Sequence, residues 1–202
     1  MSHRSLDQNG FSITELLVVI IGVAIISMVI FSFFGSTTNQ FFKLQADGIA
    51  YNEITNNSQR IASVVRGIKF IETAEADRIV GYSYFAPNEQ YTSKITYDLT
   101  NTNTLLRATV VPMTADYPTG TLLTAQTKVV PIVNSFYKKS GVDTFEYLDA
   151  NGTKIPLPID STSINAIRSV RINLNVKPYG TNSTNINSTT LTVNLRNKKT
   201  NL

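Results

Sequence analysis

Cysteine is absent from the 202 residues, and histidine occurs once, as His3. No disulfide framework and no thiolate metal site can form. Past His3 the chain offers neither residue. That removes the common metal ligands, the usual general base near neutral pH and every Ser-His or Cys-His arrangement. Carboxylate pairs or a Ser-Lys dyad remain chemically open, but no spacing groups them. The expectation is a non-enzymatic protein with no catalytic residues, no metal and no cofactor. Charge of one sign is also scarce: the formal net charge is +4, with Arg196, Lys198 and Lys199 near the end. Excess positive charge favours polyanions or an anionic membrane surface. No dense basic cluster is interleaved with aromatics, so a nucleic-acid partner has only this tail to support it, and solvated surface is the simpler reading.

What the chain does have is one long apolar run. A polar stretch ends at Gly10, and Phe11-Ser12-Ile13-Thr14-Glu15 leads into Leu16-Leu17-Val18-Val19-Ile20-Ile21. Between Phe11 and Phe34 the only charged residue is Glu15. A helix of that length rises about 36 Å, enough to cross a hydrocarbon core of about 30 Å. A carboxylate inside such a segment costs on the order of a few kcal/mol in lipid, which calls for a partner or a function. A secretory signal has a shorter apolar region followed by small residues, whereas Phe33 and Phe34 stand here. A plain single-pass anchor explains neither Glu15 nor the glycine at the polar–apolar junction.

Gly10, the phenylalanine after it and the acid at the fifth position of the segment resemble the class III signal of type IV prepilins and pseudopilins. The resemblance implies a leader of residues 1–10, cut between Gly10 and Phe11 by a prepilin peptidase, with methylation of the new amino group of Phe11. It assigns Glu15 the role of setting subunit register during fibre assembly. It also implies other pilin subunits and the pilus assembly machinery as partners, with membrane lipid as the partner before assembly. The expected location is the bacterial cytoplasmic membrane as a single-pass protein, then a surface filament. Many pilins close a C-terminal loop with a disulfide, and this chain departs from that pattern.

The fold expectation is α+β: a long N-terminal helix, membrane-spanning over 11–34 and amphipathic over 35–67, packed on an antiparallel β-sheet domain over 68–202. No proline interrupts the helix, so any bend or melted turn belongs at Gly35-Ser36-Thr37-Thr38. Leu44, Tyr51, Ile54, Ile61, Val65 and Ile68 form one helical stripe, and Gly67 is a fitting stop. Glu72–Arg78 reads as helix extension or loop. Strand patterns follow at Ile79–Phe85, Ile95–Leu99 and Leu105–Val111, and Val111–Thr127 reads as loop-rich.

Asn151-Gly152, between Phe145–Asp149 and Lys154–Leu157, is the strongest hairpin signal, with a type I′ turn. Its faint echo of a calcium loop lacks acidic ligands. Val170–Val176 and Leu191–Arg196 alternate cleanly around a polar loop at Tyr179–Thr190, and their polar faces belong to the solvated side of a sheet. The order of a Phe-x-Tyr strand, an Asn-Gly hairpin, a short Ile164–Ile167 approach and two alternating strands is similar to minor pilins and J-type pseudopilins. The resemblance implies a minor structural subunit of a type IV pilus or related filament. A type II secretion pseudopilin and a DNA-uptake or adhesive tip subunit are the alternatives.

Overall fold

The computed structural model describes residues 12–99, 104–178 and 186–196. The chain divides into two compact units, Met1–Gln45 and Ala46–Leu202. A single helix, α1 (Ile13–Arg66), belongs to both. No melted turn interrupts it at Gly35–Thr38. One glycine costs only about 1 kcal/mol, and helix propagation on both sides absorbs that.

Within the first unit the described helical residues bury no side chain. Ile13, Leu16, Phe31, Phe33 and Phe34 are all exposed, as are Phe41 and Phe42. In the second unit α1 becomes one-sided. Ile54, Ile61 and Val65 are fully buried, with Ala50, Ser58, Ala62 and Val64 beside them. The expected stripe therefore holds from Ile54 to Ile68 only. Leu44 is 71 % exposed and Tyr51 58 %. Their spacing continues the helical period, but periodicity alone does not say where the packing partner ends.

The helix stops where its last carbonyls find other partners. Gly67 and Ile68 donate back to Val64 O and Val65 O at 3.1 Å, and Ser83 Oγ donates to Val64 O at 2.8 Å. A Cβ on Gly67 would stand 2.9 Å from that serine oxygen, so glycine permits the close approach.

Five strands follow as an antiparallel meander: β1 (Phe70–Ala74), β2 (Arg78–Ser83), β3 (Ser93–Leu99), β4 (Leu106–Pro112) and β5 (Lys128–Val133), paired in that order. β3 and β4 alternate as half-buried strands should, with Ile95 opposite Val110 and Tyr97 opposite Ala108. A second sheet has the order β6 (Phe145–Leu148), β7 (Ser169–Val176), β8 (Asn187–Asn194). The α+β expectation holds, with the strands divided between two sheets.

Local expectations meet three corrections. Glu72–Arg78 is not helix, and only its middle is loop: β1 ends at Ala74, a tight turn bonds Glu75 N–H to Arg78 O at 2.8 Å, and β2 begins at Arg78. The Asn-Gly turn is shifted by one residue from the type I′ position. Gly152 N–H donates to Asp149 O at 3.2 Å and Asp149 N–H to Thr153 O at 3.0 Å, with Gly152 at φ +78°, a three-residue loop pattern. Its second arm makes the bridge Leu148–Lys154, with Ile155 N–H donating to Tyr147 O at 2.8 Å, and Pro156 and Pro158, which lack N–H donors, take the ladder no further; β6 pairs with β7 along its other edge. Third, β7 is not solvated on its polar side. Asn173 and Asn175 are buried, and Asn173 Nδ2 donates to Asp143 O at 2.9 Å while its Oδ1 accepts from Thr190 at 3.0 Å. β8 also begins at Asn187, inside the expected polar loop, whose residues 179–185 lie outside those described.

One core joins the helix face to the inner sides of both sheets. Tyr147 is its pin: from β6 its hydroxyl donates to Glu75 O at 2.9 Å and reaches Arg78 O at 3.1 Å on the other sheet. Tyr97 is equally buried, yet its hydroxyl has no hydrogen-bond partner. Conservative substitutions should therefore have opposite signs. Tyr147→Phe removes the hydroxyl that bonds Glu75 O and Arg78 O and should cost about 0.5–1.5 kcal/mol, whereas Tyr97→Phe removes an unsatisfied buried group and should stabilise by about 1 kcal/mol. Urea unfolding of both variants measures the difference, and equal values would contradict the two geometries.

Candidate functional site

The described chain begins at the candidate site. Ser12 precedes the first helical residue and folds into a reciprocal cap with Glu15. Glu15 N–H donates to Ser12 Oγ at 3.2 Å, while Glu15 Oε2 accepts from Ser12 N–H at 3.0 Å and from Ser12 Oγ at 3.1 Å. This is the Ser-x-x-Glu capping box, which satisfies backbone donors that a helix start otherwise leaves open. The acid also lies in the first turn, where the helix dipole favours negative charge. The capping signature was present in the sequence and was overshadowed by the apolar run; its chemistry gives Glu15 a partner within its own chain. Gly10 and Phe11, the expected cleavage and methylation positions, lie outside the described residues.

Behind the cap, α1 contains an eighteen-residue window of mean hydropathy 3.0 with none of it buried. Among the described residues, one helix is long and apolar enough to cross a membrane. Gly22 and Gly35 have open space where a Cβ would stand. Such positions allow close approach of another helix in an apolar medium.

In the second unit several ionisable groups are tied into structural pins. Asp116 accepts from Lys69 Nζ at 2.7 Å, Thr92 N–H at 2.9 Å and Tyr84 at 3.1 Å, which fastens the loop after β4 over the first sheet. The Lys69 hydrogen bond, then the Thr92 N–H, hold the Asp116 carboxyl below its ordinary value. Tyr117 in that loop stacks on Tyr82 at 4.2 Å and on Phe70 at 5.1 Å. Asp77 takes Lys138 and Thr144, and Glu146 takes Arg171 and Lys154. Asp149 Oδ1 accepts from Asn151 and Thr153 N–H, each at 2.8 Å, so the calcium echo is an acid capping its own turn. Among the described residues no three metal-ligating side chains come together. Of the basic tail, Arg196 is described and exposed, and Lys198 and Lys199 lie outside.

Burial pushes the Tyr82 phenol up to about 12, reinforced by its hydrogen bond to Glu72, and burial raises Tyr97 and Tyr147 further. A raised folded-state value favours the neutral phenol. The resulting stability is complete below the unfolded value near 10.0 and is lost as pH climbs through about 12. A spectrophotometric titration at about pH 11 should therefore find three of the nine tyrosines silent until the protein unfolds. Full phenolate absorbance in a still-folded protein would contradict the burial of these rings. No family model matches the chain, and no curated protein matches it.

Proposed function

We propose that the protein is a structural subunit, minor-pilin-like, of a type IV pilus or a related filament. Its N-terminal helix is stored in the membrane and then bundled with the helices of other subunits. The observation that carries this reading is the helix start: a lone carboxylate, held by Ser12, opens a stretch of α1 that buries no side chain of its own. A surface so apolar needs lipid or other helices around it. The cap and the register role of Glu15 fit together in sequence of events. In the solitary subunit Ser12 satisfies the carboxylate; in the filament a methylated ammonium at Phe11 of a neighbour takes its charge, because buried charge is tolerated only when paired. The domain on residues 46–202 decorates the outside of the fibre, and its role is structural rather than catalytic.

Two variants separate capping from register. Glu15→Gln keeps a side-chain oxygen for Ser12 N–H but removes the charge, whereas Glu15→Ala loses both and about 0.5–2 kcal/mol of helix-start stability. Both should be processed normally. Both should enter sheared filaments at least about tenfold less than wild type, since an unpaired buried ammonium costs about 3–5 kcal/mol. Wild-type incorporation of the Gln variant would leave Glu15 a cap and nothing more. N-terminal sequencing of the filament fraction should begin at N-methylated Phe11; a chain starting at Met1 or near Thr37 would overturn the filament pathway.

A further inference from the structure

The sequence holds four Asn-x-Ser/Thr triplets with no proline between, the acceptor pattern for N-linked glycans: Asn56-Asn57-Ser58, Asn151-Gly152-Thr153, Asn182-Ser183-Thr184 and Asn187-Ser188-Thr189. The fold separates them. Asn56 lies within α1, where Ser58 is buried and its hydroxyl donates to Thr55 O at 2.8 Å. Asn187 opens β8, and its Nδ2 donates to Asp47 O at 3.2 Å. Residues 182–184 lie outside those described. Among the described triplets, only Asn151-Gly152-Thr153 stands in a turn with all three residues exposed.

That turn is fixed without using the acceptor groups. Asp149 Oδ1 accepts from Asn151 N–H and Thr153 N–H at 2.8 Å each, and Gly152 closes the loop at φ +78°. The Asn151 carboxamide and the Thr153 hydroxyl make no hydrogen bond among the described residues. Both are therefore free for an enzyme that must grip a carboxamide together with the hydroxyl two residues on. Beside the turn lies a hollow of about 540 Å³, lined by Asn151 with Asp149, Arg168, Arg171, Thr192 and Asn194. That size falls within the range of about 300–1,000 Å³ common to small-ligand sites. Arg168 is held there by donating to Asn165 O at 2.6 Å, and Arg171 by Glu146 at 2.9 Å. The lining mixes donors and acceptors: two guanidinium groups, a carboxylate, amides and a hydroxyl. A neutral polyol can use both kinds, whereas an anion meets Asp149 and a cation meets the arginines.

We propose that Asn151 is an N-glycosylation site and that the hollow beside it seats the first sugar of the glycan. The donor is a sugar carried on a lipid diphosphate. Asn151 Nδ2 bonds to the anomeric carbon, the bond from that carbon to the diphosphate oxygen breaks, and the lipid diphosphate leaves with the electron pair. The amide proton goes to a base of the transferase. The product is an N-linked sugar on a surface turn, where a glycan adds bulk and solubility without disturbing a core. The inference goes beyond the filament reading and rests only on export of residues 46–202, which a plain single-pass anchor provides as well.

The test is peptide mapping by mass spectrometry of the full chain extracted from its own membranes in a neutral detergent. The peptide containing Asn151 should carry a glycan mass, and fragmentation should place it on the Asn151 side chain. Asn151→Gln and Thr153→Ala should each abolish the added mass. Thr153→Ser keeps the hydroxyl and should retain it, which makes the result independent of any folding defect at the turn. Asn56→Gln should change nothing. An unmodified Asn151, or attachment indifferent to Thr153→Ala, overturns the site. Nuclear Overhauser contacts should join the first sugar to the Thr192 methyl group, and their absence overturns the hollow as its seat. A glycosylated chain that starts at Met1 upholds this inference while overturning the filament reading. An unmodified chain that starts at N-methylated Phe11 does the reverse.

Discussion

Ile54, Ile61 and Val65 of α1 lie with no exposed surface against the inner sides of two separate sheets. The helix is what makes a five-stranded and a three-stranded sheet share one core. Tyr147 adds the polar counterpart, spending one hydroxyl on two carbonyls of the neighbouring sheet. Phe145 N–H, bonded to Ala76 O at 2.9 Å, closes the same seam through the backbone.

A single helix here satisfies two environments. Its first half is apolar all round, the pattern of a segment buried in lipid or among other helices; its second half is apolar on one side, the pattern of a helix on a sheet. The changeover is gradual in sequence and abrupt in packing, because Phe41, Phe42 and Leu44 are as apolar as the buried residues but have no sheet beside them. At the other end, the capping box lets Glu15 stand at the mouth of an apolar helix without being unsatisfied.

The ion pairs of the second unit act as fasteners between segments. Each is partly exposed and screened by solvent, so their value is in fixing loops, above all the segment around Asp116 and Tyr117.

Local sequence was enough to determine the long helix, its stop at Gly67, the alternating β3, β4 and β7, and the turn at Asn151-Gly152. These follow from periodicity, backbone freedom and side-chain branching, all short-range properties. The Ser12–Glu15 cap was equally local. Only the tertiary structure decided what each element packs against. The stripe from Leu44 to Ile68 has one period, yet only its later part meets a sheet. β5 contains Pro131 and is allowed because it is an outer strand, and β1 is acidic yet pairs with β2. Asn173 and Asn175 look like solvent-facing residues and are buried because β6 and the segment before it lie alongside. Residues far apart in the chain, Arg66 and Arg196 among them, share a surface for the same reason: strand order, which no short stretch of sequence encodes, sets which side chains become neighbours.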